Sequence, residues 1–263
     1  MKKIVWSKQL LSIMISNAET RICYIQGETI RAAQSFSTPQ HITADEARAQ
    51  LDTCMQDHDI QTLDGIVWAS VVPELTYSWQ TALKQIKAAK LLYIKPGIKT
   101  GIKIGYDDPA AFGSDRLAHA VAALSQLTGP LVIIDANPIT TTLDVIDAHN
   151  TICGGIISCA PALAAATLAR HASKLPNFEF HASAHSYGHN TTEALQLGLL
   201  VGEARKLDSF IADIQTDFGR ELLVIGTGSA CPLLTEHMRT ALTTYELQLV
   251  HLGLAQLWYL NCL

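Results

Sequence analysis

The residues best suited to chemistry lie between Ile98 and Ala123, where glycines, a proline turn, an acid and a base crowd around the start of a helix. Ile98, Ile102 and Ile104 flank Gly101 in a short strand-like run. Asp107-Asp108-Pro109 then turns the chain, because proline fixes its own φ and disfavours helix in the residue before it. Gly113-Ser114-Asp115-Arg116 follows, and Leu117, Ala120, Val121 and Leu124 recur behind it at helical spacing. A carboxylate at such a helix start can accept a proton from a substrate hydroxyl, while Arg116 and the helix N-terminus attract anionic groups. The plainer alternative is that Ser114 or Asp115 only caps the helix, since both residue types are favoured there.

Those residues need a scaffold, and the sequence around them alternates strand and helix patterns. Leu10 to Tyr24 has apolar runs on both sides of a polar SNAET insert, which predicts a strand, a turn and a second strand, with Gly27 marking a further turn. Thr43 stands as a cap before a helix over Ala44 to Gln56 that turns Ala47, Leu51, Cys54 and Met55 inward. Gly65 to Val72 reads as a buried strand ended by Pro73, Tyr77 to Lys90 as a helix, and Leu91 to Ile94 as a strand. The second half begins again with strands over Leu131–Ile134 and Leu143–Ile146. Leu222–Ile225 forms a last strand and Tyr245–Leu257 a closing helix. LLSIM-ISNAET beside LVIID-ANPITT shows the same apolar strand followed by a polar turn, which suggests an internal duplication. The rhythm is that of an α/β protein.

Composition narrows the function classes. With 263 residues and 48% hydrophobic content the chain can bury a sizeable core, and it reads as a soluble globular protein. A formal net charge of −5 gives no basic footprint, which argues against nucleic acid as a partner. Cys23, Cys54, Cys153, Cys159, Cys231 and Cys262 form no C-x-x-C pair, so they read as thiols of a reducing compartment and not as a zinc ribbon. Lys8 interrupts the apolar stretch after the MKK start and no small-residue cleavage site follows, so the expectation is no signal peptide and a cytoplasmic location. Ile152–Ala169 is uncharged but carries glycines, a proline and hydroxyls. It reads as a strand, a turn over Ser158–Pro161 and an Ala-rich helix, not a membrane span. His181, His185 and His189 recur every fourth residue, a spacing that would align three imidazoles on a helix. Gly188 and the neighbouring serines favour a loop over a zinc site.

Taken together, K-T-G-I-K-I from Lys99, Y-D-D-P from Tyr106 and G-S-D-R-L-A from Gly113 resemble the signature of the type III pantothenate kinases, and the likeness runs collinearly from Leu10 to the C-terminus. The resemblance implies a duplicated acetate kinase, sugar kinase, Hsp70 and actin-like (ribonuclease H-like) fold. Its two subdomains would cover residues 8–128 and 129–263. It also implies phosphorylation of pantothenate by ATP with Mg²⁺ and a monovalent cation, potassium or ammonium. Asp115 matches the family's proton acceptor, and Tyr106, Gly113, Ser114 and Arg116 match its substrate-contacting positions. Gly188-His189-Asn190-Thr191-Thr192 resembles the family's G-K-N-T, whose threonine reaches pantothenate from the partner subunit of a dimer, so Thr191 is the candidate. Asp135 matches the monovalent-cation ligand, and Gly226-Thr227-Gly228 stands where the family carries T-G-G beside the adenosine.

The same comparison exposes a degraded ATP side. The family's first turn, D-x-G-N-T, is here Met14-Ile15-Ser16-Asn17-Ala18: Asn17 remains, while Met14, Ser16 and Ala18 replace a metal-directing acid, a close backbone approach and a hydroxyl. No Asp or Glu occurs from Met1 to Ala18, and Glu19 is the first acid. The second turn, D-x-G-T, is Asp135-Ala136-Asn137-Pro138. Asn137 is a residue able to adopt positive φ, and Pro138 lacks both a hydroxyl and an N–H. The expected function is therefore a pantothenate kinase relative with an impaired phosphate side, a homodimer or the heteromeric partner of an intact paralogue. The alternatives are an active kinase with atypical phosphate contacts and a non-catalytic interaction or regulatory protein.

Overall fold

The computed structural model describes residues 6–172, 174–176, 178–181 and 185–263. By packing, the chain divides into two units, Met1–Gln126 with Leu249–Leu263, and Leu127–Gln248. The division differs from the one expected from sequence in its last element, since the C-terminal helix packs within the first unit.

The first unit contains β1 (Gln9–Ile15), β2 (Glu19–Gln26), β3 (Thr29–Ser37), α1 (Ala44–Asp57), β4 (Gly65–Ser70), α2 (Pro73–Lys84), β5 (Lys90–Tyr93), the two-residue β6 (Lys103–Ile104) and α3 (Ser114–Gln126). Its sheet runs β3-β2-β1-β4-β5. β1 and β2 pair antiparallel and β1 and β4 parallel. The central strand β1 is buried on both faces, which explains its nearly unbroken apolar sequence. Thr43 and Glu46 form the capping box that starts α1: the threonine hydroxyl accepts from Glu46 N at 3.2 Å, and Thr43 N donates to the Glu46 carboxylate at 2.8 Å. Leu11, Ile13, Trp68, Leu75 and Trp79 make the core between the sheet and α1 and α2.

Two sequence expectations shift here. The helix expected over Tyr77–Lys90 runs instead from Pro73 to Lys84, because proline at the first helical position begins a helix as readily as it ends a strand. The strand-like run from Ile98 shrinks to Lys103–Ile104, since Gly97 (φ +92°) and Gly101 (φ +73°) bend the backbone into the left-handed region.

In the second unit the strands β7 (Leu131–Ala136), β8 (Thr140–Ile146), β9 (Thr151–Cys159), β10 (Leu223–Thr227) and β11 (Thr244–Tyr245) run in the order β11-β10-β7-β8-β9. Each unit therefore carries three antiparallel strands followed by parallel additions at the first of them, as the repeated strand-turn pattern suggested. α4 (Pro161–His171), α5 (Thr191–Gln196), a π-helical turn (Leu197–Val201), α6 (Gly202–Phe218) and α7 (Cys231–Thr235) complete it. α6 and α7 close the core over Val132, Ile134, Leu143 and Val224. No helix among the described residues is long and apolar enough to cross a membrane.

The closing helix α8 (Leu249–Cys262) begins later than the sequence suggested, because Tyr245 belongs to β11 and Glu246 N donates to Gly226 O at 3.0 Å. α8 lies against α3, and a Cβ on Gly253 would run into the backbone of Ala118. Gly65 leaves the corresponding space for the Trp258 indole. The Tyr259 hydroxyl accepts from Ser7 N and Lys8 N, each at 2.8 Å. Deeper in, His251 is fully buried with Nδ1 2.9 Å from the Ser12 hydroxyl, and neither His251 Nε2 nor His119 Nδ1 has a hydrogen-bond partner.

Burial, with smaller contributions from Arg21 and His119, pushes the His251 pKa down from 6.5 to about 3. The folded state thus holds a neutral imidazole where the unfolded chain binds a proton, so this contribution to stability is complete above pH 6.5 and is lost as pH falls toward 3. Each pH unit inside that window costs up to about 1.4 kcal/mol. Thermal unfolding between pH 7.5 and 4.5 should show a falling Tm, and His251→Asn, which keeps an amide near Ser12 without a titrating ring, should flatten that acid limb. An equally steep limb in the variant would assign the acid sensitivity elsewhere.

Candidate active site

In the first unit, α3 begins at Ser114, so its first turn presents Asp115 and Arg116 together. Asp115 is half-buried, and its Oδ1 accepts from Arg116 N at 2.8 Å. Gly113 makes room for that carboxylate: a Cβ there would sit 2.5 Å from Asp115 Oδ1. Arg116 folds back on the preceding loop. Its guanidinium carbon lies 4.5 Å from the Phe112 ring centre and 5.5 Å from that of Tyr106, and Nη2 donates to the Tyr106 hydroxyl at 2.7 Å. Tyr106 and Phe112 meet edge to face at 5.0 Å. The structure thus gathers Tyr106, Gly113, Ser114, Asp115 and Arg116 and adds Phe112, a residue whose only sequence signal is an aromatic just ahead of G-x-D-R.

Beside this helix start lies a cavity of about 830 Å³, formed wholly within the first unit. Its walls are mainly apolar, including Val71, Ile98, Ile102 and Leu117, with Lys95, Asp108 and Ser114 as polar members. The Ser114 hydroxyl is buried and has no hydrogen-bond partner. A volume of this size holds a small organic acid with space to spare. The cavity carries no sequence signal beyond Pro96 and Gly97, which mark its wall as special backbone.

The first turn, between β1 and β2, is closed by its own side chains. Ser16 N and Ser16 Oγ both donate to Glu19 O, at 3.1 and 2.7 Å. Met14 is 5% exposed, packed into the sheet opposite Arg21 and Ala69, and Asn17 is exposed at the tip. Glu19, the nearest acid, is held by Arg21 at 2.7 Å. The residues present therefore do not fit a Mg²⁺-directing turn: the position that would carry the charge is a buried thioether, and the neighbouring carboxylate is already paired.

The second unit holds the other turn. Asn137 is of a type able to adopt positive φ, but among the described non-glycine residues only Asp59 and Asn150 do so. Asn137 closes the turn through its amide instead: Oδ1 accepts from Ile139 N at 3.0 Å and Thr140 N at 2.9 Å, and Nδ2 donates to Thr140 Oγ1 at 3.1 Å. Pro138 is exposed at its corner. Gly228 (φ +86°) approaches so closely that a Cβ would strike Ala136 O and lie 2.5 Å from Asp135 Oδ1. Thr142 stands directly across the strand pair from Asp135, and its buried hydroxyl has no hydrogen-bond partner. A carboxylate, an unpartnered hydroxyl and a closely approaching backbone suit a hard monovalent cation. Burial, reinforced by Asp135, pushes the neighbouring Cys231 thiol up to about 12, which keeps it protonated. Gly226 lies inside β10, and the side where a Cβ would project is filled by Leu242 and Cys231.

Thr191 is the exposed first residue of α5. Asn190 caps that helix by accepting from Glu193 N at 2.9 Å, and Glu193 in turn accepts from His189 N at 2.8 Å, which holds its carboxyl below the usual carboxylate range. Gly188 is packed against the same turn, where a Cβ would strike Ala194 N. His181, His185 and His189 do not share a helix. Residues 182–184, part of that expected histidine run, lie outside the described residues. Among the described residues no three His, Cys, Asp or Glu side chains converge to hold a metal.

A family model described as type III pantothenate kinase matches residues 10–213. A type III pantothenate kinase of Dehalococcoides mccartyi is 31% identical over 241 residues, 91% of this chain and 91% of the relative. One of Paramagnetospirillum magneticum is 33% identical over 230 residues, 86% of this chain and 88% of the relative. Among solved structures, the activator of the 2-hydroxyisocaproyl-CoA dehydratase of Clostridium difficile, with bound ADPNP, superposes with a TM-score of 0.54 at 10% identity, covering 95% of this chain and 93% of that one. The fold is the actin-like one of sugar kinases and Hsp70-like ATPases.

The amide-closed turn can be tested without any ligand. Asn137→Ala strips the acceptor from two backbone N–H groups and should cost about 1–2 kcal/mol, seen as a lowered Tm. Asn137→Ser, which keeps a short accepting oxygen without setting a second carboxylate beside Asp135, should recover part of that loss. Equal losses in both variants would show that the oxygen does not hold the turn.

Proposed function

Because the chain belongs to the type III pantothenate kinase family, we propose that it binds pantothenate or a similar small hydroxylated acid at the start of α3, and that its transfer of phosphate from ATP is impaired. The family reaction is ATP-dependent phosphorylation of pantothenate to 4′-phosphopantothenate, on the way to coenzyme A. In this reading Asp115 is the proton acceptor. Its Oδ1 is fixed by Arg116 N, so Oδ2 takes the proton of a bound hydroxyl. Gly113 keeps that carboxylate in place, Ser114 offers an uncommitted hydroxyl, and Tyr106 and Arg116 form one braced polar arm beside it.

The observation that carries the impaired half of the proposal is the first turn. Its acid position is the buried Met14, Ser16 ties the turn to Glu19 O, and Glu19 is paired with Arg21. Loss of one oriented donor or charge in a phosphoryl-transfer site costs about 3–4 kcal/mol, a few hundredfold in rate, and Met14, Ser16, Ala18 and Pro138 remove several at once.

The cation cradle supports a second reading, an active kinase using atypical phosphate contacts, since Asp135, Thr142 and Gly228 still suit potassium or ammonium. We further propose a cytoplasmic homodimer in which Thr191 faces the acid bound by the partner. Exposed Thr191 and the exposed apolar Ile157, Leu163 and Leu168 of the second unit support such an assembly. The same surfaces would serve a heteromer with an intact paralogue, in which this chain acts as a regulatory subunit.

Protein freed of host pantothenate kinase should show a saturable thermal shift with pantothenate and little with ATP-Mg²⁺, because a ligand that binds only the native state raises Tm. Turnover at millimolar ATP with potassium present should be weak. Combined Met14→Asp, Ser16→Gly, Ala18→Thr and Pro138→Thr should raise it at least about a hundredfold. Rapid turnover by the wild-type chain, abolished by Asp115→Asn, would establish the active reading instead.

A further inference from the structure

The loop that walls the 830 Å³ cavity is not held by its own unit's sheet alone; it is pinned from the far end of the chain. Asn261, in the last turn of α8, makes a reciprocal pair with the backbone of Lys99. Lys99 N donates to Asn261 Oδ1 at 2.9 Å, and Asn261 Nδ2 donates to Lys99 O at 2.8 Å and also to Leu257 O at 2.8 Å. The third bond fixes the amide plane on its own helix, so the other two hold Lys99 in one place.

Lys99 is the right residue to hold. It lies midway between Gly97 and Gly101, both at positive φ, where the backbone has most freedom to move. Its neighbours Ile98, Thr100 and Ile102 line the cavity, as do Gly113 and Ser114 at the start of the helix that carries Asp115. α8 in turn is seated on α3 at Gly253, with no side chain between the two backbones. The wall and the carboxylate helix are thus referenced to one rigid element.

We propose that Asn261 is a positioning residue for the acid-binding cavity: by clamping Lys99 it sets the distance between the Ile98–Ile102 wall and the start of α3, and so the fit of the acid. The role rests on the pantothenate reading of that cavity, but the clamp itself can be read separately.

The experiment compares wild type, Asn261→Ala and Asn261→Asp by amide hydrogen exchange over residues 97–104 and by calorimetric titration with pantothenate. Loss of the clamp should speed exchange in that segment about five- to tenfold and weaken pantothenate binding by a similar factor. Exchange in α3, which makes no bond to the amide, should stay unchanged. Asn261→Asp, which keeps the acceptor for Lys99 N but sets a carboxylate oxygen against the Lys99 and Leu257 carbonyls, should lose the clamp at least as fully as Asn261→Ala. In any residual turnover the change should fall on KM for pantothenate and leave kcat unaltered, a split that a general loss of stability would not give.

Unchanged exchange over 97–104 in Asn261→Ala overturns the proposal. So does faster exchange with unaltered pantothenate affinity. If wild type takes up no pantothenate at all, the ligand reading fails, and a clamp with no acid to position falls with it. Faster exchange in the variant would then mark Asn261 as a structural tie only.

Discussion

The contact on which the site depends is the side-chain-free approach of α8 to α3 at Gly253 and Ala118. A helix pair can come this close only where one partner lacks a Cβ. Here the result is that a helix from the end of the chain lies directly against the helix whose first turn carries Asp115 and Arg116. α3 is buried from Arg116 to Leu124, so it has little freedom to shift, and the carboxylate at its start inherits that rigidity. The same α8 fills the space over Gly65 with Trp258 and buries His251 against Ser12 of the central strand. One closely seated helix thus ties the middle of the first sheet to the acid end of α3.

The turns after β1 and β7 are closed in two different ways. At the first, Ser16 uses its hydroxyl and its N–H to close the hairpin on Glu19 O, so both of its own donors are committed to the turn. At the second, the Asn137 side chain accepts from two N–H groups of its own turn, those of Ile139 and Thr140. Both solutions satisfy the buried backbone internally. A turn that satisfies its own donors is a sound piece of structure and a poor phosphate cradle, since the same N–H cannot serve both roles.

Much of this was legible in the chain because it is local. The capping box at Thr43 and Glu46, the duplicated strand-turn pattern at Leu10 and Leu131, and the helix after Gly113 all follow from residues within a few positions of each other. What could not be read is what depends on distant partners. Pro73 looks the same in sequence whether it ends β4 or starts α2, and the difference is made by the packing of Leu75 and Trp79. Asn137 satisfied the pattern of a positive-φ residue, yet the presence of Thr140 within reach of its amide favoured a side-chain solution. Asn261 carries no local signal at all, being one polar residue at the end of an apolar helix, and it acquires meaning only once Lys99 is beside it.

The start of α3 and the turn between β1 and β2 differ in how each is built. The acid side is a helix start: Gly113, Asp115 and Arg116 are fixed by the same packing that fixes α3, so altering them means disturbing a buried helix and the Arg116, Tyr106 and Phe112 stack. The first phosphate turn is an exposed hairpin tip between two strands that remain paired whatever the tip contains. Met14 even adds to the fold, since burying a thioether in the sheet stabilises it where a buried carboxylate would need a cation to offset its desolvation. Met14 and Ser16 therefore stabilise the turn they sit in, whereas changes around Asp115 would disturb a buried helix. The physical asymmetry of the two elements makes the hairpin tip the more tolerant of substitution and the helix start the less tolerant.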